Sequence, residues 1–309
     1  MKTNKRAFIF ALESEYNDGT TTPEAASDAV LAREISATPL AGNNIERSYV
    51  RPYYGNSPQA PGEKHIQVPV EVELNTSGVP GTPPPWGKML RACGWSEVIV
   101  EGESVTYSPV SDDEDSGVFF GHFDRNLHKG RGARGTPEFT LNGNGIPVVK
   151  FNFSALISPV TQVELPNVTL TQWKKALVVN STNTELMNLM GVLAPFSQFS
   201  LNMSGQVEHM AEIVGGADIE ITGRGPSGSL QIEDQGVGVK NYFEAHQNAE
   251  TGLLKVTHGK TPGNIIEFNM PAVSIEAPSY VDVKGKQMLG INYMPQPIDG
   301  NDEVTIVVK

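Results

Sequence analysis

Ile66, Val68, Val70, Val72 and Leu74 alternate with Gln67, Pro69, Glu71 and Glu73. A period of two puts every apolar side chain on one face of an extended strand and every polar one on the other. The pattern returns at 148–156, where Val149, Phe151, Phe153 and Ala155 alternate with Val148, Lys150, Asn152 and Ser154. It returns again at 217–222, where Ala217, Ile219 and Ile221 alternate with Asp218, Glu220 and Thr222. Segments of this kind build sheets with one face in a core and one in water. Pro69 cannot donate to a ladder, so a free edge or a bulge is expected beside it.

Further strands are expected at 98–101, 104–108, 117–123, 137–141, 229–233, 253–257, 264–270, 288–293 and 303–309. Gly 31 and Pro 22 among 309 residues supply the turns that many short strands need. Two short helices interrupt the strands. One spans 87–92 after Pro83-Pro84-Pro85-Trp86 and is ended by Gly94; the other spans 239–247. The first forty residues have the look of an arm with little core of its own. A helix at 23–34 is expected within it, with Thr22 as cap and Pro23 in the first position. The apolar run Ala7–Leu12 is too short for a secretory signal, and Glu13 and Glu15 follow at once.

The halves repeat weakly. Glu138-Phe139-Thr140-Leu141 matches Glu267-Phe268-Asn269-Met270, and Phe151-Asn152-Phe153-Ser154 falls opposite Ile291-Asn292-Tyr293-Met294. The order strand, short helix, strands, final strand is shared. It predicts a duplication, with domains at 1–158 and 159–309 and a connecting segment to about residue 200.

Charge narrows the function. The net charge is −12 and both halves are acidic, which disfavours general nucleic-acid binding. One cysteine, Cys93, excludes an internal disulfide and a cysteine-based zinc site. No apolar run is long enough to cross a membrane as a helix.

The motifs that suggest chemistry are weak. Gly130-Arg131-Gly132-Ala133-Arg134-Gly135 has dinucleotide-loop spacing, but a strand follows where a helix is required. A tight basic loop is the expectation, with Lys129, Arg131 and Arg134 offered to an acidic surface of a partner chain. The acidic stretch 112–115 lacks the carboxylate that closes a calcium loop, since Phe123 stands at the twelfth position. A solvated turn is favoured there over weak calcium binding. His122, Asp124 and His128 are close in sequence without the spacing of a metal site. No nucleophile elbow, zinc-protease motif or P-loop occurs.

The ordered series Tyr53-Tyr54-Gly55, the strand 68–74, Pro83–Trp86 before Gly87-Lys88-Met89-Leu90-Arg91-Ala92-Cys93-Gly94, then Val105-Thr106-Tyr107-Ser108-Pro109 and Gly132-Ala133-Arg134-Gly135 resembles the major tail tube proteins of long-tailed phages. The likeness is to those of Mu-like and related siphophages and prophages, and covers residues 40–158 best. It implies a mainly β fold: two tandem β-sandwich domains, each with a flanking helix, whose strands join a ring-wide inner β-barrel. It implies a structural virion protein, not an enzyme, that stacks in rings as the conduit for DNA ejection. A duplicated chain implies a homotrimeric, pseudo-sixfold ring, with a homohexamer as the alternative. The implied partners are further copies, the tape-measure, tail-terminator and distal tail proteins, and DNA in transit. The implied location is the virion tail, and the host cytoplasm during assembly. No cofactor and no membrane is implied.

On this reading Gln67, Glu71, Glu73, Asp218 and Glu220 line an acidic lumen, unless those strand faces look outward to solvent. Tyr53 and Tyr54, with Lys129, Arg131 and Arg134, are the inter-subunit candidates. The segments 17–37 and 53–61 are expected to order only on stacking. The rival classes are a carbohydrate-binding or hydrolytic β-sandwich module, and the inner tube of a contractile injection system.

Overall fold

The computed structural model describes residues 5–211, 213 and 216–309. The first half gives β1 (Arg6–Leu12), β2 (Ala29–Val30), β3 (Ala32–Ile35), β4 (Thr38–Ala41), β5 (Asn44–Glu46), β6 (Gln59–Pro61) and β7 (His65–Glu73). Helix α1 (Gly87–Arg91) follows, then β8 (Trp95–Val100), β9 (Ser104–Pro109), β10 (Gly117–Phe123), β11 (Asn126–Asn142), β12 (Val148–Ile157) and β13 (Thr161–Gln162). The second half gives β14 (Met187–Leu189), β15 (Val192–Ala194), β16 (Phe196–Asn202), β17 (Gln206–His209), β18 (Ile219–Gly223) and β19 (Ser227–Glu233). Helix α2 (Tyr242–Gln247), β20 (Thr251–His258), β21 (Ile266–Ile275), β22 (Ser279–Val283), β23 (Lys286–Pro295) and β24 (Thr305–Val308) complete it.

Sixteen of the strands form two antiparallel layers. One runs β3/β4, β7, β12, β11, β16, β19, β23, β22. The other runs β8, β9, β24, β21, β20, β14, β15. They join where the end of β21 pairs with the end of β23. Each layer crosses from the first half to the second, through β11–β16 and through β9–β24. The two halves therefore share one apolar core. Phe139 of the first layer meets Phe268 of the second edge to face at 5.2 Å, and Phe199 meets Phe268 at 5.4 Å.

Several expectations change. The first forty residues are not a loose arm. Phe8, Ile9 and Phe10 of β1 are buried, and Phe10 stacks on Phe153 at 5.1 Å. The helix expected at 23–34 is a turn followed by β2 and β3. The Asp28 carboxylate accepts from the Glu24 backbone N–H at 2.9 Å to close the turn. Ala29 and Val30 then pair with β1, and Ala32–Ile35 with β7, so the sheet claims these residues. Within the 17–37 segment, residues 29–30 and 32–35 are thus paired with strands of the same chain.

The basic segment 129–135 is not a loop. It lies inside the long strand β11, which bends at Gly132 (φ +57°) with a register shift between Arg131 and Arg134. Before the bend β11 pairs mainly with β10, and after it with β12. The irregularity expected near Pro69 is found in its partner: β3 and β4 break apart opposite it, and β7 itself lies between β12 and β3/β4 rather than at an edge.

The two short helices form where expected. α1 buries Met89 and Leu90, and Trp86 before it donates its indole N–H to the Asn75 carbonyl at 2.7 Å. α2 is capped by Asn241, whose side chain accepts from the Glu244 N–H. Each helix stands between a first-layer strand (β7, β19) and a second-layer hairpin (β8–β9, β20–β21). By this connectivity β12 and β23 correspond, since they pair with β7 and β19. Glu138–Leu141 and Glu267–Met270 do not correspond: the former lies in β11 of one layer, the latter in β21 of the other.

Candidate functional site

Pairing registers build one polar surface on the outer side of the first layer. In β7 the face carries Gln67, Pro69, Glu71 and Glu73. Opposite them in β12 stand Ser154, Asn152, Lys150 and Val148. Asn152 and Lys150 face Thr136 and Glu138 of β11. Glu138, Thr140 and Asn142 face Asn202, Ser200 and Gln198 of β16. These in turn face Ser227, Ser229 and Gln231 of β19, and Ser229 faces Asn292 of β23. The alternate residues of the same strands, such as Val70, Phe151, Phe139, Phe199, Leu230 and Ile291, are buried. The surface is a ladder of hydroxyls and amides that bond laterally: Ser200 to Ser229 at 2.8 Å and Ser197 to Gln231 at 3.1 Å.

Its charge is acidic. Lys150 stands in register between Glu71 and Glu138, so one cation is flanked by two carboxylates. Glu71 also lies 3.6 Å from Arg33, Glu73 accepts from the Ala176 N–H at 3.2 Å, and Glu233 pairs with Lys286 at 2.7 Å.

Gln67, Glu71 and Glu73 thus come together on this face. Asp218 and Glu220 do not join it. They lie at the separate β17–β18 hairpin, where Glu220 is exposed opposite Glu208. That hairpin packs against β11 and β12 at one end of the face. Arg134 donates to the Ile219 carbonyl at 3.2 Å, and the His209 ring lies 4.7 Å from that of His65. The members of the ladder on β11, β16 and β19 escaped sequence reasoning, although Phe199, Leu201 and Met203 alternate with Ser200 and Asn202 and carry a readable signal.

The other candidates separate into two kinds. Arg134 is consumed internally: it also donates to the Glu114 carbonyl at 3.1 Å and lies over the Tyr16 ring at 4.8 Å. Lys129 lies over the Phe120 ring at 5.0 Å. Arg131 is half-buried in β11. Tyr53 and Tyr54 are strongly exposed, beyond the β5–β6 hairpin. In the acidic stretch Asp115 bonds Arg91 at 2.8 Å and Glu114 approaches Arg134 at 4.0 Å, so arginines answer two of its carboxylates. No cluster of three or more metal-ligating side chains occurs among the described residues, the His122, Asp124 and His128 region included.

Four histidines give the fold an acid limit. Burial holds His122, His128 and His258 below the usual imidazole pKa. Burial foremost, then the His209 ring and the Lys64 ammonium, does the same to His65. The folded state therefore favours neutral rings. The stability they confer is complete above about pH 6.5 and is lost as pH falls through the lower folded-state values. The melting temperature is expected to drop between pH 7 and pH 5 and to level off above pH 7. Replacing His258, whose Nδ1 takes the Thr184 hydroxyl at 2.9 Å, by Gln is expected to flatten that slope in a calorimetric pH series.

These features, a mainly β chain and a continuous polar sheet face backed by one core, accompany a match of the family model for phage tail tube proteins to residues 3–306. The chain belongs to the phage tail tube protein family. It is a structural protein of the phage tail. No curated protein is significantly similar to it. Among the described residues no helix is long and apolar enough to cross a membrane.

Proposed function

We propose that the chain closes into rings whose lumen is the polar face of the first layer, and that stacked rings conduct DNA from capsid to host. The observation that carries this reading is the unbroken ladder from β7 to β23, polar outside and apolar inside. Its end rows, β3/β4 and β22, each pair on one side only among the described residues. Such edges are an aggregation hazard in a lone molecule, and ring closure removes them.

The row count supports a ring of three. The first layer presents eight rows, β3/β4 counted as one. Three copies give about 24 strands, a circumference of about 150 Å and a bore of about 38 Å once side chains are allowed for, wider than a DNA duplex. We therefore favour a trimer over a hexamer. We assign residues 1–158 and 159–309 to two tube-type domains fused edge to edge. Support comes from the matched placement of α1 and α2 and of β12 and β23. The long-tailed, Mu-like kinship fits a tube of this kind, capped by terminator and distal proteins and filled during assembly in the host cytoplasm by a tape measure. A catalytic role is not part of the proposal.

A passing polyanion must not adhere, and an acidic, amide-rich wall releases no counterions from DNA. Replacing Glu71 and Glu73 together by Lys is expected to leave ring assembly intact and to slow DNA ejection, more at low salt than at high. Unchanged ejection kinetics in that variant would remove these residues from the wall.

A further inference from the structure

The β5–β6 hairpin and an open cleft lie toward opposite ends of β7. Among the described residues β5 and β6 pair only with one another, and their chain leaves β4 at Ala41 and returns to β7 at His65. Beyond them the 47–58 segment carries Tyr49, Val50, Tyr53 and Tyr54, all exposed, with Tyr54 106% exposed. Arg51 braces it, over the Tyr49 ring at 5.7 Å and donating to the Asn56 carbonyl at 3.3 Å. An aromatic protrusion of this size leaves apolar area in water that a neighbour would cover.

The cleft has a volume of about 780 Å³. Its walls come largely from residues that follow β7 and open α1, with the 26–30 segment across from them. Leu12, Pro84, Pro85 and Met89 give it an apolar floor, and Asp28 and Lys88, paired at 2.7 Å, stand at its rim. A tyrosine suits such a recess, with its ring on the apolar floor and its hydroxyl at the charged rim.

Nine residues of β7 separate the two features, a distance of about 30 Å. A protrusion at one end and a recess at the other make a heterologous, head-to-tail contact, which repeats along an axis without closing. About a dozen residues from Ala41 to the tip reach up to about 40 Å, enough to enter the next copy. The geometry points to Tyr53 and Tyr54 of one copy seating in the Pro84–Met89 cleft of a copy in the adjacent ring. This inference rests on the ring reading and adds to it the stacking joint and its polarity.

The test uses the full chain assembled into tubes, with p-benzoylphenylalanine in place of Tyr54. Irradiation is expected to join it to the 26–30 or 82–89 peptides of another copy, identified by mass spectrometry. Ala26→Trp, at an exposed position in the cleft, and the double variant Tyr53→Ala, Tyr54→Ala are each expected to yield rings and at least a tenfold loss of tubes by electron microscopy. Crosslinks outside the cleft, crosslinks to a different protein, or normal tube yields from both variants would overturn the joint while leaving the rings standing. Failure of the unaltered chain to form rings would overturn the assembly reading and the joint with it.

Discussion

Replacing Arg224 by Leu is expected to lower the free energy of unfolding by about 3–5 kcal/mol, the cost of leaving a buried carboxylate without its partner. Arg224 bonds Glu303 through Nε at 2.5 Å, donates to the Val110 carbonyl at 2.6 Å, and reaches Asn301. Glu303 is 4% exposed, and its second oxygen has no partner. The guanidinium thus ties three separate stretches: the exit of β9, the entry to β19 and the entry to β24. Leu at 224 strips all three bonds and leaves the charge of Glu303 in place. Arg224→Lys keeps the charge but loses the planar fork, so an intermediate loss is expected. Adding Glu303→Leu to Arg224→Leu should recover much of the stability, because no bare charge then remains. Urea unfolding of the three variants measures this. A loss under 1 kcal/mol for Arg224→Leu would show that the network carries little.

Phe139→Ala is expected to cost about 3–5 kcal/mol, the range for emptying a buried aromatic site. Phe139 is fully buried and touches Phe268 across the two layers. Because Phe139 belongs to the first half and Phe268 to the second, its loss should weaken both halves together. Unfolding followed by the fluorescence of Trp86, Trp95 and Trp173 and by far-ultraviolet dichroism should give one coincident transition. A double-mutant cycle with Phe268→Ala should show coupling of about 0.5–1.5 kcal/mol. Two separated transitions would contradict a shared core.

Alternation made the half-buried strands legible. β7, β12 and β19 read directly, because each has one wet face. β1 did not, since Phe8, Ile9 and Phe10 are all buried and a strand covered on both sides has no period. The glycines of β11 misled for a different reason. A Cβ at Gly130 would lie 2.3 Å from the Phe119 ring, and Gly132 has a left-handed φ and gives its N–H to the Glu13 carboxylate at 3.1 Å. These glycines mark close packing and a bend within a strand, whereas in a sequence they look like a loop.

The candidate wall was legible only strand by strand. Gln67, Glu71 and Glu73 follow from one local pattern. Their neighbours Lys150 and Glu138 follow only from register, which joins residues far apart in sequence. Asp218 and Glu220 have the same local pattern, but the β17–β18 hairpin places them elsewhere. The identical signal in a strand cannot say which sheet it joins.

The central claim, that the polar ladder of the first layer is the inner wall of a ring-built tube, is tested most directly by electron cryo-microscopy of the assembled protein. Rings of three copies are expected, with β22 of one beside β3/β4 of the next and Gln67, Glu71, Lys150, Glu138 and Ser200 facing the lumen. Density that places Glu71 and Glu138 on the outer surface of the tube, or that closes the ring through the β8 edge with the polar ladder outside, would contradict it.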